Sequence, residues 1–350
     1  MSPAREIAFR VLKRVHEGGY ATDLLRRESG DQRDLALAES IVLGCLRYQS
    51  QLDYLIEVFS GRKQPKLDEE VRIALRMGIF QLRYLDRIPA HAAVTESVEL
   101  VKLAHKRSAA GFVNAVLRKV NRNPVTWPDL ATELNIPAWM LDRWQHQYGQ
   151  EAIKIALAAL QEPETAINPD TGRQQDPGAQ SIVPLLAIEP GMTVLDLCAA
   201  PGNKTAQILA LGANVVAADR YLKRLTDVPA EVRRVVLDAA TTLPFNLKFD
   251  RILVDAPCSG TGTLARNPEI KWRLRPADLP RFAVLQREIL RQALSHLKPG
   301  GRLVYATCSL EREENEDVIA HIGAGLSVSA KHLRLSGRDP GDGFFAAVIT

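Results

Sequence analysis

The sequence predicts an α/β fold: an open, mostly parallel sheet covered by helices on both faces, preceded by an all-helical domain. Two observations carry this expectation. From about residue 182 onward, short Val/Leu/Ile runs alternate with helix-length amphipathic stretches, and strands apolar on both faces belong to sheets buried on both sides. Before about residue 122, apolar residues recur at three- and four-residue steps, the period of a helix. At 350 residues, 46% of them hydrophobic, the chain is long enough for two or three domains with substantial cores.

The elements follow in order. In LDEEVRIALRMGIFQLRYL, Val71, Ala74, Leu75, Ile79 and Leu82 share one helical face. Asp68, Glu69 and Glu70 give its first turn the acidic bias that the helix dipole favours. In GFVNAVLRKVNR the face is Val113, Val116, Leu117 and Val120. Short connections (SGRKQP, DRIPAH, KRSAA) tie such helices into a bundle expected over residues 1–125. Asn123-Pro124 and VTWPDLATELNIPAW break the pattern. One further amphipathic helix over about 137–160 and the turn-rich QEPETAINPDTGRQQDPG make residues 126–180 a linker. Residues 181–350 form the sheet domain. Its strands are TVLDL, NVVAAD, RRVVLD, RILVDAP and GRLVYATCS, and its helices include NKTAQILAL and LPRFAVLQREILRQALSHL.

Composition narrows the class. No apolar run reaches the ~18 residues that a membrane-spanning helix needs, and the start MSPAREIAFRVLKRV alternates charge with apolar residues, unlike a signal peptide. A cytoplasmic protein without a membrane partner is expected. Its four cysteines (Cys45, Cys198, Cys258 and Cys308) are too few for a disulfide framework, so any special role for them is chemical. Residues 1–125 hold 21 Lys+Arg against 15 Asp+Glu, net +6, within a whole-chain charge of +4. A basic first third suits a polyanionic partner.

In parallel sheets the ligand sits beyond the carboxyl ends of the strands, and every unusual segment of the sequence falls at such an end. DLCAAPGNK follows the first strand; its small residues and Gly202 let a ligand approach the backbone, and the following helix offers free N–H groups. Asp219 ends the second strand, 23 residues after Asp196, where an acid commonly holds ribose hydroxyls. Asp238 ends the third and is placed to meet an adenine amino group. Together these fit S-adenosylmethionine; the competing reading is that each aspartate merely caps its own turn. Cys258 and Cys308 end two strands expected to be neighbours. Cys45, inside a helix, reads as an inert core thiol. Two thiols without a paired CxxC or nearby histidines make poor zinc ligation, so no metal is expected.

A thiolate beside a methyl donor suits one reaction in particular. C5 of a pyrimidine is too weak a nucleophile to take a methyl group unaided. Addition of a thiolate to C6 turns the ring into an enamine and raises electron density at C5. A cation such as Lys204 would favour the thiolate, Asp255 is the acid placed to steady the ring near N3, and a second cysteine could assist release.

At these residues a resemblance appears. DLCAAPGNKT, DAPCSGTGTLARNPEIKWR and LVYATCSLEREENEDVI look like three signature motifs of the RNA 5-methylcytosine methyltransferases of the Sun/NOL1/NOP2 family. GDGFFAA resembles that family's usual ending. RIPAHAAVTESVELVK with GFVNAVLRKV is similar to the NusB-like RNA-binding domain fused to the catalytic domain in the bacterial small-subunit ribosomal RNA branch. The resemblance implies a Rossmann-like S-adenosylmethionine-dependent methyltransferase domain behind a NusB-like one, acting as a monomer on small-subunit (16S) ribosomal RNA. It implies that Cys308 is the nucleophile and that Cys258 promotes product release. The cofactor site it implies comprises Cys198, Ala199, Ala200, Pro201, Gly202, Asn203, Lys204, Asp219, Asp238 and Asp255.

Two departures stand out. The family's PGGK is PGNK here, so Asn203 replaces a glycine at a turn where Asn would tolerate a left-handed dihedral. A small RRM-like subdomain that precedes the sheet in the family is cut to ETAINPDTGRQQDPGAQ. Competing functions are a transfer-RNA 5-methylcytosine methyltransferase, which the NusB-like region argues against, and a non-catalytic RNA-binding or assembly protein, against which Cys308, Cys258, Asp255 and Lys204 speak. Candidate RNA contacts are residues 62–66 and 105–107, with Arg266, Lys271 and Arg273 favoured. Trp272 reads as core, and the acidic EREENED as the start of a helix.

Overall fold

The structure, a computed structural model, describes residues 1–63, 66–164, 166–321 and 326–350; part of the basic stretch 62–66 lies outside them. It divides into two compact units, Met1–Gln161 with Ala265–Trp272, and Glu162–Leu264 with Arg273–Thr350. Among the described residues no helix is long and apolar enough to cross a membrane.

The first unit is helical, as the periodicity predicts. Helices α1 (Pro3–His16), α2 (Ala21–Leu25), α3 (Gln32–Arg47), α4 (Gln49–Ser60), α5 (Glu69–Tyr84), α6 (Ala90–Leu103) and α7 (Ala110–Leu117) surround one core. Val71, Ala74, Leu75 and Ile79 of α5 are buried, and Leu82 packs against them. This helix is central, packed by α1, α3, α4, α6 and α7, so it also buries Ile73, Met77 and Phe80 outside the predicted stripe. Helix α3 can approach because Gly44 faces Phe80: a Cβ there would sit 1.9 Å from the ring. α8 (Leu130–Glu133), α9 (Ala138–Tyr148) and α10 (Glu151–Ala158) complete the helices up to Gln161. The single helix expected over 137–160 is two, because Gly149 takes φ 58° and ψ −127°, a conformation open to glycine, and turns the chain.

The second unit opens with a tight hairpin over 166–175, in which the Asn168 N–H donates to Arg173 O (2.8 Å) and Gln175 N–H to Ala166 O (2.9 Å). After α11 (Pro177–Gln180), the elements are β1 (Thr193–Leu197), α12 (Asn203–Ala210), β2 (Asn214–Asp219), β3 (Arg233–Val236), β4 (Phe249–Asp255), α14 (Leu279–Ser295), β5 (Leu297–Thr307), α15 (Glu316–Ile319), β6 (Val328–Arg334) and β7 (Phe344–Ile349); α13 (Ile270–Arg273), between β4 and α14 in the chain, lies mostly in the first unit. They build one sheet in the order β3-β2-β1-β4-β5-β7-β6. Strands β1 to β5 pair in parallel, while β7 runs antiparallel between β5 and β6. The fold class expected from the sequence is therefore present, with an antiparallel hairpin at one edge that the strand pattern did not announce. Leu195 and Leu197 enter the core on one face and Val194 the core on the other, so both faces are covered. The strand order reverses between β1 and β4, the switch point beside which such sheets bind ligands.

Residues 265–272 belong to the helical unit. There the Lys271 amine donates to Arg47 O (3.0 Å) and the Trp272 indole to Leu46 O (2.7 Å), serving carbonyls that the last turn of α3 leaves without helical partners. Lys271 is 1% exposed, and burial pushes its amine down to about 7. The expectation that Lys271 meets RNA is thus corrected: its amine holds protein backbone. Trp272, half-buried, is likewise engaged by the protein.

Candidate functional site

The turn after β1 is shaped by two left-handed residues, Cys198 (φ 67°) and Gly202 (φ 106°). At Gly202 a Cβ would stand 2.8 Å from the Val228 Cα, so only glycine fits. Asn203 is not the left-handed residue. It is the first residue of α12, and its side-chain amide donates to Gln174 O (3.3 Å) in the hairpin. The departure from PGGK therefore needs no unusual dihedral, a correction to the expectation above. Ala199, Ala200, Pro201 and Lys204 complete the turn, with the Ala200 N–H donating to the Asp219 carboxylate (3.3 Å).

Asp219 and Asp238 face one cavity of about 200 Å³ together with Cys198, Arg220, Tyr221, Arg224, Leu237, Pro257, Leu285 and Ile289. Each acid also accepts from its own turn, Asp219 from the Tyr221 N–H (3.0 Å) and Asp238 from the Ala240 N–H (3.0 Å). The capping reading is thus met, and each carboxylate keeps lone pairs facing the cavity. The apolar walls from Pro257, Leu285 and Ile289 were not foreseen. Leu285 and Ile289 stand four apart on α14, a spacing that had read only as core packing.

Register puts the remaining residues side by side. Asp255 pairs with Ala306 across β4 and β5, so the chain beyond each strand carries Cys258 and Cys308 to one place, Sγ to Sγ 3.3 Å. Asp255 Oδ2 lies 2.7 Å from the Lys204 ammonium, which also sits 5.2 Å over the Phe344 ring. Burial alone would lower the Lys204 pKa, but Asp255, with Cys308 and Asp196, outweighs it and keeps the amine firmly charged. The Cys258 thiol is pushed up by its hydrogen bond to Cys308, by burial and by the Glu314 charge, against a weaker pull from the Gly260 N–H. The Cys258 thiol is therefore held protonated. Burial pushes the Cys198 thiol up as well, which makes it a wall and not a reagent. Cys45 is buried in α3 as expected.

Comparison with known proteins fits this geometry. The family described as 16S rRNA methyltransferase RsmB/F matches residues 183–332, and the NusB family matches residues 2–122. Ribosomal RNA small subunit methyltransferase B of Cronobacter sakazakii is 32% identical, covering 99% of this chain and 98% of the relative. The chain belongs to the RsmB/F family of 16S rRNA methyltransferases. The Klebsiella pneumoniae protein of the same name is also 32% identical, over 99% of this chain and 97% of its own length. Both alignments run past 400 positions, 424 and 420, so these RsmB relatives carry segments that this 350-residue chain lacks. The crystal structure of PH0851 shares the fold, with a TM-score of 0.81 at 20% identity over 100% of this chain and 99% of that one. As a family member the chain is an S-adenosylmethionine-dependent rRNA methyltransferase.

Among the buried carboxylates that escaped the sequence reading of this RsmB/F-family chain, two bear on the site. Glu314, in the acidic stretch read as the start of a helix, is 0% exposed, as are Glu311 and Asn315. Its Oε2 accepts from the Ser259 N–H (2.8 Å) and the Gln286 amide (2.9 Å). Its Oε1 accepts from the hydroxyls of Ser309 (2.6 Å) and Ser259. Burial pushes this carboxyl up, opposed by those donors. The second is Asp196, 0% exposed at the end of β1. Oδ2 accepts from the Thr205 hydroxyl (2.5 Å), while Oδ1 has no partner. An unpartnered buried carboxylate oxygen beneath a glycine turn fits a ligand that bears an ammonium and a sulfonium group, as the methyl donor does.

Burial, against the Thr205 hydrogen bond and with help from Asp255, pushes Asp196 up to about 7 from its ordinary 3.8. A carboxyl raised on folding contributes stability that is complete below about pH 4 and is lost as pH rises through about 7. Without cofactor, the unfolding free energy of the wild type is expected to fall across that window relative to Asp196→Asn, by roughly 1–4 kcal/mol. Urea unfolding at pH 5 and pH 8 checks it: parallel behaviour of the two proteins would refute the assignment.

Proposed function

We propose that this chain methylates C5 of a cytosine in small-subunit ribosomal RNA through a covalent bond between Cys308 and C6 of the ring. The observation that carries this reading is the approach of two thiols to 3.3 Å at adjacent strand ends, beside an Asp255–Lys204 ion pair. S-adenosylmethionine supplies an electrophilic methyl group. Asp219 and Asp238 would take its ribose and adenine polar groups, and Pro257, Leu285 and Ile289 the adenine faces. Cys308 supplies the sulfur that adds to C6, beside a Lys204 amine that stays charged. Asp255, paired with Lys204, accepts from the cytosine N4 amino group and steadies the ring near N3 as it gains electron density.

Cys258 then acts. Its thiol is held protonated chiefly by the neighbouring Cys308. Once Cys308 is tied up as a thioether that restraint is gone, so Cys258 can lose its proton and serve as base. It takes the C5 proton, the C–H electron pair forms the C5=C6 bond, and Cys308 leaves as thiolate. In this reading Cys258→Ala still transfers the methyl group but stays joined to the RNA. The NusB-like residues 1–125 hold the RNA, and residues 126–180 link them to the catalytic domain.

Methyl-labelled S-adenosylmethionine and small-subunit rRNA test the reading, with the product digested to nucleosides. All label is expected in 5-methylcytidine. Label in another nucleoside, or label only with transfer RNA, would overturn it.

A further inference from the structure

We infer that Glu314 is a positioning residue: its buried carboxylate bonds to the turns on either side of the thiol pair and fixes Cys258 against Cys308. The inference rests on the two-thiol reading above and assigns a residue that reading does not use. Four donors converge on the carboxylate, from Ser259 (N–H and hydroxyl), Ser309 and Gln286. They match the acceptor-only character of an ionised carboxylate. Ser259 follows Cys258 and Ser309 follows Cys308, so one group holds both cysteine turns. Glu314 is itself fixed from behind, its backbone carbonyl accepting from the Tyr305 hydroxyl (2.6 Å) in β5.

The two cysteines do not depend on it equally. Cys308 directly follows β5, whose last residue Thr307 pairs with Phe345 in β7. The Thr307 hydroxyl donates to Asn315 (2.6 Å), Asn315 donates to Ser309 O (2.8 Å), and Cys308 O accepts from the Gly262 N–H (2.8 Å). Cys258 lies three residues beyond the end of β4. Pro257 on one side of it is held through its carbonyl by Gln286 (2.9 Å), which is bonded to Glu314, and Ser259 on the other side is held by Glu314 itself. Loss of the carboxylate therefore releases Cys258 while the sheet still holds Cys308. The Glu314 charge also helps to raise the Cys258 thiol.

Glu314→Gln keeps the volume but turns an NH2 toward donors. Cofactor affinity is expected within twofold of wild type and single-turnover methyl transfer within threefold. Steady-state turnover should fall tenfold or more, with protein–RNA complex accumulating as in Cys258→Ala. Independently of RNA, phenylarsine oxide, which bridges paired thiols, should be held tenfold less tightly against a competing dithiol. Ser259→Ala, which deletes one hydroxyl donor, should show the same changes more weakly. Wild-type arsenical retention and turnover in Glu314→Gln overturn the inference. So does loss of cofactor binding or of cooperative unfolding in Glu314→Gln alongside a wild-type Ser259→Ala, because the carboxylate would then be needed for the fold alone. If Cys258→Ala itself forms no adduct, the covalent-release reading fails, and arsenical retention still decides the role of Glu314.

Discussion

Cys308→Ala is expected to transfer no methyl group to RNA while binding S-adenosylmethionine as the wild type does. The first half follows from the chemistry. C5 is not nucleophilic until C6 carries a sulfur, so removing the nucleophile removes the route and does not merely slow it. A loss of roughly three orders of magnitude or more is in keeping with other nucleophile deletions. The second half follows from placement: the cavity bounded by Asp219, Asp238 and Cys198 does not include Cys308. Single-turnover labelling and calorimetric cofactor titration on the same preparation check both halves. Cys308→Ser should be nearly as inactive, since a serine hydroxyl does not ionise near neutral pH. Activity retained in Cys308→Ala but abolished in Cys258→Ala would exchange the two roles and place the attack on the thiol of the DAPC turn.

Much of this site is legible because parallel sheets put their ligands at one end. A run such as RILVDAP announces a strand, the strand announces an end, and Asp255 and Cys258 are then in the right region before any coordinates exist. Register supplied what sequence could not: that Asp255 faces Ala306, so that a thiol three residues past one strand meets a thiol one residue past the next. Glu314 was illegible for a physical reason. In EREENED its charge has the pattern of a solvated helix start, and only three-dimensional closure shows that four donors from other segments make its burial tolerable. Asp196 was hidden differently, since a strand residue used as a spacing marker gives no sign of being buried with an unpartnered oxygen. Lys271 misled because a basic residue after a glycine turn suggests a nucleic-acid contact, whereas its amine caps the carbonyl of Arg47. The edge hairpin β6–β7 was missed because FFAAVI, buried along its whole length, lacks the alternation that marks a strand with one wet face.

The Lys204–Asp255 pair is expected to be needed for stability and for chemistry at once, and a double-mutant cycle separates the two. At 2.7 Å, with the side chains 12% and 28% exposed, the pair is largely withdrawn from water, so removing one member strands the other charge. Breaking a fully buried pair costs about 3–5 kcal/mol, and partial exposure of Asp255 brings the expectation to about 2–3 kcal/mol for Lys204→Met. Asp255→Asn should cost a similar amount, because it leaves the buried Lys204 ammonium without its ion-pair partner. The double variant carries neither charge and should be less destabilised than the sum of the single changes, with a coupling of roughly 1–3 kcal/mol in urea unfolding. Its activity should not recover in parallel. In the proposed mechanism both charges act on the reacting ring or thiol, so each single variant is expected to lose about 10²–10³-fold in single-turnover methyl transfer, and the double no less. A double variant that regained both stability and rate would show the pair to be structural only. One that regained stability while remaining slow would place Lys204 and Asp255 at the reacting cytosine.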